Sequence, residues 1–98
     1  TWLRCPPSEI DATVESFKDT VLARLEQQDD FCSASFLVDR ETGRCCGTAR
    51  FGSQAGLEAT REMARRLREE MSQGSGREFT DVAECELVIA HLRVPELV

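Results

Sequence analysis

Apolar residues recur every three or four positions near the start of the chain. The positions that share this spacing are Ile10, Val14, Phe17, Val21 and Leu25. Such spacing is typical of one apolar stripe on an α-helix, which we predict to run to about Gln28. Either Ser8 or Asp11 is predicted to cap its first turn, because a short polar side chain accepts hydrogen bonds from the free N–H groups there.

Residues 31–39 alternate between two faces, and this pattern predicts a β-strand. One face carries Cys32, Ala34, Phe36 and Val38. The turn that follows contains Asp39, which can bond the backbone ahead of it, and Gly43, which can adopt the left-handed conformation of a short hairpin loop. Residues 44–51 are then predicted to form the antiparallel partner strand.

A second helical pattern begins after Ser53, its predicted cap, and ends at the glycines of "QGSG". Its inward positions step by three and four: Leu57, Thr60, Ala64, Leu67 and Met71. Its other positions carry glutamates and four arginines, Arg61, Arg65, Arg66 and Arg68. Three pairs of opposite charge are spaced four residues apart: Glu62 with Arg66, Arg65 with Glu69, and Arg66 with Glu70. This spacing favours a salt-bridged outer face over an anion-binding site.

Two further strands are predicted, one over residues 1–5 and one from Glu78 to about Leu92. The resulting order is strand, helix, strand, strand, helix, strand. This order predicts the α+β fold class: a ferredoxin-like βαββαβ domain with an antiparallel four-stranded sheet and both helices on one face. A chain of 98 residues is long enough for a single domain, here residues 1–98.

The last predicted strand is long for a domain of this size. Residues 78–91 in a straight strand would extend roughly 46 Å, whereas a compact domain of this length has a diameter of about 32 Å. The strand must therefore bend or reach a second subunit. We favour the second interpretation, and with it a homodimer, because one face of the predicted sheet has no helix to cover it.

The charge balance limits the kinds of partner. The net charge is −6, and a general phosphate-binding surface needs clustered positive charge, so we expect no nucleic-acid partner. No apolar run approaches the ~20 residues that cross a bilayer, so we expect no membrane partner. The pattern of a secretory leader is absent, which predicts a cytoplasmic protein. The sequence begins at Thr1 rather than at a methionine, which leaves open whether residues precede it.

The five cysteines are Cys5, Cys32, Cys45, Cys46 and Cys85. Their odd number, without a secretory leader, predicts reduced thiols and no disulfide. There is no C-x-x-C pair, and His91 is the only histidine, so we expect no metal site. The adjacent Cys45 and Cys46 should point to opposite faces of a strand. We expect one to pack in the core and the other to face the cleft or a dimer interface, with a reactive thiol as the alternative.

Four local motifs carry a family resemblance. They are Asp30-Phe31 at the entry to the second strand, the hairpin "VDRETG" at 38–43, Phe51 at the end of the third strand, and "SQAG" at 53–56. With them the chain resembles the antibiotic-biosynthesis-monooxygenase (ABM) domains of the dimeric α+β barrel superfamily. The resemblance covers nearly the whole chain, and it implies a homodimeric α+β barrel.

The resemblance implies two functions. One is a cofactor-independent monooxygenase that acts on a hydroxylated aromatic or quinone-type substrate. The other is a non-catalytic binding or structural module, which we favour slightly because the chain lacks the tyrosine and asparagine that polyketide-oxidising members use. Haem-degrading members hold iron through a histidine of the second helix or the loop after it; this helix has none, and no cofactor is expected.

A ligand cleft, for a small aromatic molecule, is expected between the helices and the sheet. The candidates to line it are Trp2, Arg4, Phe51, Met63, Leu67 and His91. His91 is also the candidate general base, with a structural or interface histidine as the alternative. Trp2 has the alternative of covering the core or the dimer seam, and Arg4 that of a strand-edge charge.

Overall fold

All four strands belong to one antiparallel sheet. The structure, a computed structural model, describes residues 1–73 and 76–93. The strands are β1 (Trp2–Arg4), β2 (Phe31–Val38), β3 (Arg44–Phe51) and β4 (Glu78–Asp81). Their order across the sheet is β2-β3-β1-β4, and each neighbouring pair is antiparallel. Two helical segments complete a compact α+β fold, the first between β1 and β2 and the second between β3 and β4.

The first helix, residues 7–25, changes its winding along its length. It contains a 3-10 turn (Pro7–Glu9), an α-helix (Ile10–Ser16), a π-helical stretch (Phe17–Leu22) and a last α-turn (Ala23–Leu25). In an α-helix, residues four positions apart are rotated by about 40° beyond a full turn, so an apolar stripe with this spacing drifts around the helix. The wider turn of the π-helix offsets this drift. The predicted stripe therefore stays on the sheet as far as Leu25, which is buried.

The start of the first helix differs from the prediction. Among the described residues, no side chain makes a capping hydrogen bond to its first turn. Instead Pro6 precedes a tight turn in which the N–H of Glu9 donates to the carbonyl of Pro6 at 2.8 Å. Ser8 lies inside that turn, and Asp11 forms an ion pair with Arg40. The predicted caps Ser8 and Asp11 are therefore wrong, since the proline-led turn takes over their role.

The second helix, Gln54–Ser72, begins as predicted. Ser53 is its cap, and its hydroxyl oxygen accepts a hydrogen bond from the N–H of Gly56 at 3.1 Å. The same hydroxyl donates to the carboxylate of Asp30. Asp30 also accepts a backbone hydrogen bond from Gly52 at 2.9 Å. The start of β2 is thereby fixed to the start of the second helix.

Both helices pack on one face of the sheet, which we call the inner face. Its core consists of Leu3, Cys5, Ile10 and Cys45, each at most 2% exposed. The ring of Phe17 on the first helix stacks on Phe36 of β2, with 4.8 Å between centroids. Leu67 of the second helix is also buried. The other, outer face carries no helix in the described structure.

The β2–β3 hairpin confirms the prediction for its turn. The carboxylate of Asp39 accepts hydrogen bonds from the N–H groups of Glu41 and Thr42, at 3.0 and 3.4 Å. Gly43 has a φ of 79°. A Cβ at Gly43 would lie 1.8 Å from the carbonyl oxygen of Cys5. Position 43 therefore requires glycine for two reasons: the left-handed backbone conformation and the close approach of the chain at the end of β1.

The last strand is shorter than predicted. β4 ends at Asp81, and residues 82–93 are exposed and contain no regular strand. β4 pairs with β1, and the register between them ends with Trp2 opposite Asp81. We refer to residues 82–93 as the tail. The predicted stretch beyond Asp81 therefore lacks a partner strand within the chain described.

Replacing Gly43 with alanine should lower the free energy of unfolding by about 3 kcal/mol, because the new methyl group adds backbone strain and a clash. Urea unfolding followed by circular dichroism would measure the loss. Gly47→Ala is the matched control. A Cβ at Gly47 would sit 3.5 Å from the ring of Phe17, so its effect should stay within about 1 kcal/mol. Equal losses in the two variants would contradict this explanation.

Candidate functional site

An apolar, half-open cavity of about 110 Å³ lies between the helices and the inner face of the sheet. The first helix contributes Phe17, Val21 and Leu25, and the second helix contributes Met63, Leu67 and Met71. Phe36 and Phe79 extend into it from β2 and β4. The cavity occupies the place expected for a ligand cleft, and three phenylalanine rings border it.

The candidate residues from the sequence fall into three places. Met63 and Leu67 line the cavity. Trp2 and Arg4 are exposed on β1, on the outer face. Phe51 and Trp2 together border a second, larger cavity of about 410 Å³, beside the second helix and the first residues of the tail. Phe51, at the end of β3, packs edge-to-face on Phe31 with 6.1 Å between centroids, and His91 is exposed in the tail.

Three aromatic residues that line the cavity are not among the site candidates that the sequence predicts. Phe17 is on the predicted helical stripe, Phe36 is on the inward face of β2, and Phe79 is on one face of the last strand. The apolar periodicity of each element therefore indicates that these rings face inward. Periodicity does not give the strand register that brings Phe79 next to Leu3 and so into the cavity.

The cavity offers little acid–base chemistry. Arg68 is the one ionisable side chain among the described residues that line it, and a guanidinium stays protonated at any working pH. Within residues 1–73 and 76–93 there is no cluster of histidine, cysteine and carboxylate side chains that could hold a metal ion. The lining is suited to holding an apolar group rather than to transferring a proton.

The adjacent cysteines lie on opposite faces, as predicted. Cys45 pairs with Leu3 on the inner face and is 1% exposed, whereas Cys46 pairs with Trp2 on the outer face. Burial, followed by contact with the thiol of Cys5, raises the pKa of Cys45 to about 11. Its thiol donates to the carbonyl of Gly43 at 3.6 Å. Cys45 is therefore a protonated core residue rather than a reactive thiol at neutral pH.

The outer face contains a row of apolar residues across three strands. Leu37 of β2 is opposite Cys46 of β3, and Cys46 is opposite Trp2 of β1. Leu37 is 62% exposed and Trp2 is 36% exposed, whereas Cys46 between them is buried. The guanidinium of Arg44 lies 4.6 Å from the centroid of the Trp2 ring, a cation–π contact. We refer to these three residues, Leu37, Cys46 and Trp2, as the outer row.

Polar groups flank the outer row on both sides. On one side Arg4 and Arg44 are opposed across β1 and β3. On the other side the hydroxyls of Ser35 and Thr48 are hydrogen-bonded to each other. An apolar centre with a polar margin is the arrangement found in protein–protein interfaces.

The charged face of the second helix confirms the predicted salt bridges in part. Arg65 contacts both Glu62 and Glu69, and Arg66 contacts Glu62. The hydrogen bonds from Arg65 are the main cause that lowers the pKa of Glu62 to about 2. Glu70, predicted to pair with Arg66, instead pairs with Arg24 of the first helix.

Arg61 departs from this helical pattern and fixes the base of the tail. Its Nε and Nη2 donate to the two carboxylate oxygens of Glu84, at 2.7 and 2.6 Å. These hydrogen bonds are the main cause that lowers the pKa of Glu84. The residues that follow this ion pair, Cys85, Glu86 and Leu87, border a cavity together with Phe51 and Gln54.

Arg77, just before β4, forms hydrogen bonds to both helices. Its Nε donates to the hydroxyl of Thr13 at 3.0 Å, and its Nη2 donates to the hydroxyl of Ser16 at 3.2 Å. Its Nη1 reaches the carbonyl of Met71 at 3.5 Å. Arg77 thereby fixes the start of β4 to both helices below the cavity.

Comparison with known proteins finds relatives in Mycobacterium tuberculosis. The chain is 43% identical over 98 residues to the uncharacterized protein Rv2557 of Mycobacterium tuberculosis (strain ATCC 25618 / H37Rv). The aligned region covers all of this chain and 44% of that protein. It is 44% identical over 101 residues to the uncharacterized protein Rv2558 of the same strain. That aligned region covers all of this chain and 42% of that protein. The chain therefore spans less than half of the curated relatives it matches.

Two other comparisons give no match. No protein-family model matches the chain, and no solved structure matches it. Among the described residues, no helix has the length and apolar character needed to cross a bilayer.

Stability should fall as the pH rises from 9 to 11. Below the ordinary thiol pKa near 9, Cys45 is protonated in both the folded and unfolded states, so its contribution is complete there. Above it, only the unfolded state ionises until the folded pKa of about 11 is reached. The expected loss is about 2 kcal/mol. It is measured by urea unfolding at a series of pH values.

The Cys45→Ala variant is the control for this pH dependence. It should show a shallower fall in unfolding free energy across the same interval, because the other titrating groups are unchanged. Parallel curves for the two proteins would refute the assignment to Cys45.

Proposed function

We propose that the chain is an ABM-like domain with the ferredoxin-like βαββαβ fold that forms a homodimer through its outer sheet face. In this proposal it is a cytoplasmic, non-catalytic binding or structural module. The order of the elements and the strand order β2-β3-β1-β4 support the fold assignment. The outer row supports the dimer.

The observation that carries the proposal is the apolar outer row, whose two ends, Leu37 and Trp2, are exposed. Water contacts Trp2 and Leu37 on a sheet face that carries no helix within residues 1–73 and 76–93. Covering this row with the same row of a second copy would remove apolar surface from water, a gain of about 25 cal/mol per Å². A two-fold axis allows one self-complementary patch to serve both subunits.

The cavity supports a binding role over a catalytic one. A neighbouring cavity beside Trp2 and Phe51 has a volume of about 410 Å³, but this one has about 110 Å³, below the roughly 300–1,000 Å³ of typical small-molecule sites. Its single ionisable side chain among the described residues, Arg68, cannot act as a general base at neutral pH. A small aromatic ligand is the class that the ring-bordered space would accept.

The alternative function is a cofactor-independent monooxygenase for a hydroxylated aromatic. The phenylalanine rings of the cavity favour it, because they would hold a flat substrate. The reaction converts a naphthol and one O₂ into a naphthoquinone and one water. His91 would have to enter from the second subunit, because in its own subunit it lies in the exposed tail.

Leu37→Glu should weaken the dimer at least about thirtyfold, because it buries an unpaired carboxylate at the interface. Size-exclusion chromatography with light scattering over a dilution series would give the dissociation constant. Ala59→Glu, on the exposed side of the second helix, is the matched control and should leave the constant unchanged. An unmodified protein that stays monomeric at the highest concentration would remove the basis of the proposal.

Oxygen uptake with naphthol separates the two functions. The module predicts no uptake beyond that of heat-denatured protein, measured with an oxygen electrode and by quinone absorbance. Sustained uptake that His91→Ala abolishes would instead establish the monooxygenase.

A further inference from the structure

Arg68 differs from the other three arginines of the second helix. Arg65 and Arg66 form ion pairs with glutamates of the same helix, and Arg61 forms one with Glu84. Arg68 is half-buried, whereas the other three are exposed. It forms no hydrogen bond and no ion pair with a residue in the ranges 1–73 and 76–93. Its N–H donors therefore lack a protein acceptor within these ranges.

The carboxylate of Glu84 does not meet this need. Glu84 lies within the electrostatic reach of Arg68, but both of its oxygens already accept hydrogen bonds from Arg61, at 2.7 and 2.6 Å. A planar guanidinium binds a carboxylate through two parallel hydrogen bonds. Arg68 therefore retains the donors for a further carboxylate.

Arg68 lies where two cavities adjoin. It borders the apolar cavity of about 110 Å³ between the helices and the inner face, and also the larger cavity of about 410 Å³. Among the described residues it is the one charged side chain that borders both. A molecule with its apolar part in the small cavity would therefore present a polar end to the guanidinium.

The small cavity suits one aromatic ring. A closed apolar cavity of about 150 Å³ is enough to bind benzene, and this half-open cavity of about 110 Å³ also allows a ring to project towards its mouth. The rings of Phe17, Phe36 and Phe79 border it and can make edge-to-face contacts. Met63 and Met71 border the same space, and thioether sulfur packs favourably on ring edges. These contacts favour an aromatic ring over an aliphatic chain.

We propose that this cavity binds a single-ring aromatic carboxylate, with its ring among the three phenylalanines and its carboxylate on the guanidinium of Arg68. The proposal rests on the binding role proposed above for the cavity, and it names the chemical class of the ligand. A carboxylate is favoured over a phosphate dianion because one guanidinium balances one negative charge, and the net charge of the chain is already −6.

Methionine methyl NMR tests the proposal with benzoate as the probe. The chain contains two methionines, and both of them border the cavity. Isotope-labelled methyl groups of Met63 and Met71 therefore report on this site directly. Titration with benzoate should shift both signals, because the ring would lie beside them. Benzamide has nearly the same shape without the charge, and it should bind at least about tenfold more weakly.

Two substitutions on the second helix separate the charge from the cavity. Arg68→Gln should lower the affinity for benzoate at least about tenfold and change the affinity for benzamide by less than about twofold. Arg66→Gln is the matched control, because Arg66 is exposed, pairs with Glu62 and does not border the cavity. It should leave both affinities unchanged. If Arg68→Gln does not fold, Arg68→Lys keeps the charge and should still bind benzoate more tightly than benzamide.

The outcomes distinguish this proposal from the proposed function. Equal affinities for benzoate and benzamide would overturn the role of Arg68 and leave the cavity as a site for uncharged aromatic rings. A preference for benzoate that survives Arg68→Gln would also overturn that role. No shift with either compound would overturn the ligand class altogether. Light scattering measures the dimer separately, so a dimer that binds neither compound would reject this ligand and retain the dimer.

Discussion

The register between β1 and β3 decides which residues form the core and which form the outer surface. With Leu3 opposite Cys45, the pair is buried under the helices, and Trp2 and Cys46 are directed outward. A slip of one residue would exchange the two sets. Gly43 makes this register possible, because only a residue without a Cβ allows the backbone of Cys5 to approach so closely. The apolar core, the cavity and the outer row all follow from this one contact.

Most of the fold could be predicted from local pattern. β3 has the predicted bounds, and Ser53, Asp39 and Gly43 act as their chemistry indicates. The cap of the first helix could not be predicted in the same way. Its sequence offers several polar side chains, and the choice among them depends on how the chain leaves β1. The π-helical stretch likewise follows from packing on the sheet rather than from local propensity.

The candidate site was predicted less well, and for a different reason. Periodicity places a residue on a face, but a cavity needs the faces of distant elements to meet. Met63 and Leu67 line it because the second helix packs across the sheet, whereas Trp2 is on the opposite side of the same sheet. His91 depends on where the tail goes, which no local pattern specifies. A sequence pattern is least informative about which face a residue occupies when it lies on a short strand that pairs on both sides, as β1 does.

The ion pair between Arg61 and Glu84 makes the path of the tail depend on the solvent as well as on the sequence. Both side chains are more than a third exposed, and an exposed pair of this kind is screened by dissolved salt. In dilute buffer the pair holds the tail against the second helix. At high ionic strength the anchor weakens, so the segment beyond it samples a wider range of directions. The solution conditions under which the protein is stored or crystallised therefore influence which arrangement of the tail is observed.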